Sequence, residues 1–422
     1  MGPNNMINRF RFRDARDWFN EKRFGAFIHW GLYAIPAWHE QMSWRGGMPR
    51  KDYEQYASQF NPVKFNPDEW MRLFKEVGME FVCLTTKHHD GFCMYDTKYT
   101  DYNIMNTPYK KDILRMVADA SKRAGIVMGT YYSIPDWHHP NYPNQGRHHE
   151  MFGPRAGDDP DYDKYFAFME NQVREIMTQY GEIGQLFWDI NVAEYTNTAF
   201  NDEMRRLQPS MVINNRGPAN WDYTTPERSV PDGMEFEHRT LAVQSLGRES
   251  WGYKTDEDHY TKKYLTQSID RVLAMGGNYM LNIGPKADGT LDEDEVAMLS
   301  SVGDWYRRVG ESFGDAIPAT SMITGVTKDL RDKMLLTRRG NTVYVHLYED
   351  PAANGVVVKP FDQKPLKATL LNNGQPLEWV VNMPPSLHRE KREYLRLRKL
   401  PLDKFTDEPL VIKLEFDQSI CE

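Results

Sequence analysis

The chain has 422 residues, 40% of them hydrophobic and 27% charged, with no biased tract, so it reads as globular and long enough for two domains rather than as disordered. A net charge of −8 with no basic stripe argues against a nucleic-acid partner, since phosphate binding needs clustered Lys and Arg. No stretch is long and apolar enough for a membrane segment, and "MGPNNMINRF" has no apolar leader region. Taken in order from residue 24, "FGAFIHWG" reads as a buried strand and "NPDEWMRLFKEVGM" as a helix capped by Asn66. "EFVCLTT" is a second strand, followed by the helix "DILRMVADASKRAG" ending on Gly125, and "IVMGTYYS" is a third strand. The alternation continues through "YDKYFAFMENQVREIMTQYG", "QLFWDI", "AFNDEMRRLQ", "MVINNRG", "GMEFEHRT", "HYTKKYLTQSIDRVLAMGG", "NYMLNIG" and "EDEVAMLSSVGDWYRRVGESF". Strands alternating with helices imply parallel pairing. About seven such units fit a (β/α)8-like (TIM) barrel over residues 1–315 better than an open doubly wound sheet. No GxGxxG follows the first strand.

Near residue 315 the texture changes to short strands separated by turns, such as "MLLTRRGNTVYVHLYED" and "LVIKLEFD". This predicts a C-terminal β-sandwich over residues 316–422, supporting the barrel by burial of apolar surface. The basic run at 389–399, "REKREYLRLRK", reads as a solvated hairpin. Three cysteines, Cys83, Cys93 and the near-terminal Cys421, give no disulfide framework.

In a barrel, chemistry sits where strands end in their C-terminal loops. Polar residues concentrate there: His29-Trp30, then Lys87-His88-His89-Asp90, Tyr132 with Asp136-Trp137, Trp188-Asp189 and Asn214-Asn215-Arg216. Metal binding by the histidines is disfavoured, because adjacent strand residues point to opposite faces and neither HxH nor HExxH is present. Sugar hydrolysis fits better. It needs two carboxyl groups, one ionised to attack or to activate water and one protonated to release the leaving group. Asp189, ending the apolar run "IGQLFW", suits the first role; the bland alternative is a helix cap. Aromatic enrichment, with 11 Trp and 23 Tyr, agrees with a sugar site.

The segments "RFGAFIHWGLYAIPAW", "KHHDGFCMYDTKYTDYN", "LFWDI", "SWGY" and "GGNYMLNIGPKADG", in this order, resemble the α-L-fucosidases of glycoside hydrolase family 29. The resemblance runs from about residue 20 to 315, and the β-module matches the family's layout. It implies a retaining exo-α-L-fucosidase on a (β/α) barrel with no cofactor or catalytic metal, acting on a fucosylated oligosaccharide or glycoconjugate. It also suggests a periplasmic or secreted setting, any leader being absent from this chain. Asp189 matches the nucleophile. His29, His88 and His89 match fucose-hydroxyl ligands, Trp44 and Tyr132 match pocket aromatics, and Arg216 matches an arginine after strand five. For the acid/base, "DYTTPER" makes Glu227 the first choice; "FEHRT", standing where the family usually shows "WE" before "SWGY", makes Glu237 the second and Glu235 a distant third. Departures include "LFWDI", which lacks a Gly after the Asp, and "EQMSWRGGM" in place of "EWY", with Glu40 displaced upstream. They leave room for L-galactose beside fucose. A fucose-binding protein on a degenerate hydrolase barrel is the alternative reading.

Overall fold

The computed structural model describes residues 10–321, 333–359 and 361–418; Cys421 lies outside them. Seven parallel strands form one sheet: β1 (Phe24–Ile28), β2 (Phe81–Lys87), β3 (Val127–Ser133), β4 (Gln185–Asp189), β5 (Val212–Ile213), β6 (Leu241–Ser245) and β7 (Asn278–Ile283). Their spatial order is β5-β4-β3-β2-β1-β7-β6. Almost every strand residue is buried, as expected of a parallel sheet covered on both faces. Side chains alternate between two cores. Phe27, Cys83, Tyr131, Phe187, Val243 and Met280 pack together on the inner side, while Ala26, Val82, Leu186 and Leu281 pack with the helices outside. Gly25 faces inward opposite Phe81, and any Cβ there would come within 2.4 Å of that ring.

Six helices cover the outer face: α1 (Pro67–Val77), α2 (Ile113–Ala124), α3 (Tyr162–Gln179), α4 (Thr198–Leu207), α5 (Lys262–Ala274) and α6 (Glu293–Val309). Each begins on a side chain that accepts a hydrogen bond from the first turn, respectively Asn66, Asp112, Asp161, Asn197, Thr261 and Asp292. Helix α2 stops at Gly125, whose φ of 70° lies in the left-handed region that glycine enters without strain. Among the described residues, no helix is long and apolar enough to cross a membrane.

The two edge strands, β5 and β6, do not pair with each other. Between them runs the irregular segment 222–228, bridged in parallel to β5 at Asn214–Tyr223 and towards β6 at Thr224–Thr240 and Glu227–Val243. Its backbone bonds include Asp222 N to Ile213 O at 2.7 Å and Val243 N to Pro226 O at 3.0 Å. The expected strand at "GMEFEHRT" is displaced: regular pairing begins only at Leu241, and residues 233–240 lead into β6 from the opposite end of the sheet.

The second module is antiparallel. One sheet has the order β12 (Lys367–Leu370), β15 (Leu410–Glu415), β10 (Thr342–Leu347), β9 (Leu335–Arg339), β8 (Ile317–Pro318); the other has β11 (Gly355–Val358), β14 (Tyr394–Arg398), β13 (Glu378–Asn382). Leu336, Val345 and Ile412 of the first share one apolar core with Val356, Leu395 and Leu397 of the second. The basic run therefore contributes a central strand, its leucines inward and Arg398 exposed. Leu335, Tyr344 and Val411 instead join the core beneath α5 and α6. At this seam His346 Nδ1 lies 2.8 Å from Asp270 Oδ1, both side chains fully buried. Glu408 accepts from Arg308 at 2.7 Å and from Lys262 at 2.9 Å.

Candidate active site

Asp189 is the last residue of β4, so its backbone is fixed by strand pairing while its side chain enters the space above the sheet's C-terminal ends. Its Oδ1 accepts from Arg216 Nη1 at 2.9 Å and its Oδ2 from the Tyr131 hydroxyl at 2.6 Å. Burial by itself would raise this carboxyl; the charge of Arg216 and these hydrogen bonds outweigh it and hold Asp189 below the usual carboxylate range. The group is therefore a buried, oriented anion at neutral pH. His89 Nε2 stands 3.8 Å from Oδ2, too far to hydrogen-bond.

An inner cavity of about 60 Å³ is lined by His29, His88, His89, Tyr131, Asp189 and Trp251, among others. It opens into an outer cleft of about 750 Å³ that Asp189, Arg216 and Glu227 also line. His88 and His89 both reach the cavity because strand pairing stops at Lys87, after a register shift between Thr85 and Lys87. Their rings come within 4.0 Å of each other, and His88 stacks on Tyr131 at 5.5 Å. Burial pushes His29 down to about 4 and holds His88 and His89 well below the ordinary histidine value. Three neutral imidazoles can each offer a lone pair or an N–H to a hydroxyl. Among the described residues, no group of three or more His, Cys, Asp or Glu side chains is arranged to hold a metal ion.

The second carboxylate is set by Arg216. Its Nη2 donates to Glu227 Oε2 at 2.8 Å while Nη1 donates to Asp189, and Nε donates to Thr225 Oγ1 at 2.9 Å. One guanidinium thus contacts both acids and holds them at the same cleft. Glu227 is 39% exposed on its side chain and lines the outer cleft. Glu237 is in a different place. It precedes β6, so the strand's five residues, ~16 Å of extended chain, separate it from the end that carries Asp189. Glu235 lines a separate cavity with Arg23 and Asn278 at that opposite end. Neither of these glutamates joins the site.

Two expected aromatics also fall outside the cavity wall. Tyr132 points the other way from its neighbour Tyr131, as the two-residue period of a strand requires. Its hydroxyl donates to Gln172 of α3 at 2.5 Å, and Lys87 Nζ lies 4.6 Å from its ring. Trp44 stands one layer back, stacked on His149 at 5.0 Å, and it is His149 that lines the cavity. The residues the sequence reading missed are Tyr131, Trp251, His149 and Glu40. Glu40 is buried, accepting from Ser250 Oγ at 2.8 Å and Trp251 N at 2.9 Å, with Oε1 unpartnered. Trp251 stacks on His29 at 5.4 Å. The signals were present: "SWGY" and the third histidine pair, in "GRHHE", mark two of these positions.

Comparisons with known proteins place the chain in a family. A family model described as "Alpha-L-fucosidase" matches residues 5–311. The tissue alpha-L-fucosidase of Homo sapiens is 26% identical over 415 residues, covering 91% of this chain and 85% of that protein. The alpha-L-fucosidase isoenzyme 1 structure from Paenibacillus thiaminolyticus superposes with a TM-score of 0.83 at 32% identity, covering 96% of this chain and 99% of that one. A GH29 alpha-L-fucosidase from Bacteroides thetaiotaomicron, solved as a trapped covalent intermediate with 2-fluoro-fucosyl fluoride, superposes with a TM-score of 0.78 at 28% identity, covering 95% of each chain.

Proposed function

This chain belongs to the α-L-fucosidase family of glycoside hydrolases, and from that premise we propose a retaining, exo-acting mechanism centred on Asp189. The observation that carries it is the single guanidinium of Arg216 spanning Asp189 and Glu227 at the mouth of a histidine-lined cavity. In the first step an Asp189 oxygen bonds to the anomeric carbon of a terminal α-L-fucose. The bond from that carbon to the leaving oxygen breaks, and Glu227 supplies the proton this oxygen needs. In the second step Glu227 takes a proton from water, whose oxygen displaces Asp189 and regenerates the enzyme. A covalent intermediate has been trapped in the Bacteroides relative, which favours this route over direct attack by water.

The histidines contact the sugar hydroxyls in this reading, and the outer cleft holds the aglycone of a fucosylated glycan. The segment 222–228 serves as an irregular eighth stave of a (β/α)8 barrel, the catalytic domain spanning 1–315 and a β-sandwich 316–422. Asp189→Ala should lower kcat on an aryl α-L-fucoside by roughly 10³-fold or more, with azide restoring turnover as a β-configured glycosyl azide. Glu227→Gln should impair natural fucosylated glycans by about 10²–10⁴-fold, while Glu237→Gln stays near wild type. An Asp189→Ala protein with near wild-type turnover would sink the assignment. Running an aryl α-L-galactoside alongside separates fucose from its 6-hydroxylated relative.

A further inference from the structure

Which hydrogen-bonding face each histidine turns to the sugar can be read from the groups behind it. Asn282 Nδ2 donates to the Trp251 carbonyl at 2.6 Å and to Ser245 Oγ at 3.0 Å. A carbonyl only accepts, so the amide nitrogen faces Trp251 and Oδ1 faces His29, whose Nδ1 lies 2.6 Å away. Oδ1 can only accept in turn, so the proton of the neutral His29 ring sits on Nδ1. The same logic holds across the cavity. Ser133 Oγ donates to the Pro135 carbonyl at 2.8 Å, which leaves it a lone pair for His89 Nδ1 at 2.6 Å. His89 therefore also carries its proton on Nδ1. Its bare Nε2 and the Asp189 Oδ2 carboxylate oxygen are then two acceptors 3.8 Å apart with no proton between them.

We propose that Asn282 and Ser133 are positioning residues that hold the protons of His29 and His89 on Nδ1, so that both rings meet the sugar as acceptors through Nε2 and select a ligand with a hydroxyl donor at each. This rests on the fucosidase reading and deepens it: hydrogen-bond polarity, and not shape alone, chooses the sugar. A hydroxyl can turn its proton to such an acceptor, whereas fluorine in the same place cannot. Burial keeps both rings neutral, so the polarity persists through the neutral range.

The test uses the full chain and competitive inhibition of aryl α-L-fucoside cleavage by L-fucose and its monodeoxy and monofluoro derivatives, one ring position at a time. At the two positions read by His29 and His89, the deoxy and fluoro sugars should both bind about 10- to 100-fold more weakly than L-fucose, because a buried acceptor is left unmade. Fluoro derivatives that bind like L-fucose at every position would overturn the proposal. A second measurement separates positioning from simple support. Asn282→Asp puts a carboxylate on His29 Nδ1, among neighbours Glu40, Asp189, Arg228 and His88. It should favour the imidazolium, turning Nε2 into a donor, so that affinity for L-fucose fails at a pH at least about one unit higher than in wild type. An equal loss at all pH values would overturn it. If the variant does not fold, the inhibitor series decides alone. Absence of fucoside cleavage and of L-fucose inhibition sinks the fucosidase reading itself; cleavage with tolerated fluoro sugars sinks only the tautomer assignment.

Discussion

Replacing Arg216 by Met should move the acidic limb of the pH–activity profile upward. In the wild-type chain two forces act on Asp189: burial, which favours the neutral acid, and the guanidinium 2.9 Å away, which favours the anion and prevails. Asp189 and Arg216 are 11% and 19% exposed, so solvent screens this contact little. A charge-assisted hydrogen bond of this kind contributes about 1.5–3 kcal/mol, equivalent to about 1–2 pH units in the carboxyl it supports. The second contact, to the more exposed Glu227, adds only about 0–1 kcal/mol. In the proposed mechanism Asp189 must be ionised to attack, and it is ionised only above its own pKa. Without Arg216, burial prevails and that pKa rises past the value of about 4 at which His29 takes up a proton, so the acid-side fall in kcat/KM should appear higher in pH, by up to about 1–2 units. The assay is kcat/KM against pH on an aryl α-L-fucoside, which reports groups of the free enzyme. Arg216→Lys, which keeps one charge but cannot span both carboxylates, should fall between. If Arg216→Met loses activity by the same factor at every pH, leaving the limb where it was, the electrostatic reasoning is refuted.

Tyr131→Phe, which removes the 2.6 Å bond to Asp189, should lower kcat/KM by about 10–100-fold, while Tyr132→Phe should change it by less than about threefold; steady-state kinetics of the pair checks the strand's alternation. Asp270→Ala leaves the buried Nδ1 of His346 without its partner at the seam between modules, although Nε2 keeps Thr337 Oγ1 at 2.9 Å, and urea unfolding should register a loss of about 1–3 kcal/mol with kcat at 25 °C unchanged. His29 is held neutral in the fold, down to about 4, so the unfolded chain takes up a proton first as pH falls below about 6.5. Stability present above that pH is lost towards pH 4, about 2 kcal/mol of it by pH 5, and His29→Gln should flatten this slope in urea titrations at pH 7.5 and 5.

Much of this was legible from residue patterns. The caps at Asn66 and Gly125, the alternation of helices with parallel strands and the position of Asp189 follow from local signals: side-chain acceptors before helices, glycine after them, and an apolar run ending on a charge. Where the reading failed, the cause is phase. An alternating strand gives no sign of which parity faces inward, so Tyr132 stood in for Tyr131. The "LAVQS" strand, small and partly polar, has a weaker signature than the "GMEFEHRT" before it, which displaced the expected strand; Glu237, matched by its place before "SWGY", lies at the other end of the sheet. Contacts between distant segments, such as Glu40 on Ser250 or His149 beside His89, leave no local trace.

The irregular stretch between β5 and β6 has a consequence for how such an enzyme diversifies. Asp189, the proposed nucleophile, ends a regular strand, whereas Glu227 hangs on backbone held by scattered bridges and one arginine. Under the proposed mechanism, insertions or changes of course there can re-aim Glu227 without shifting the histidine-lined cavity. Preference for the departing group can therefore drift while recognition of the sugar stays fixed, with the arginine as the tether that keeps the two in register.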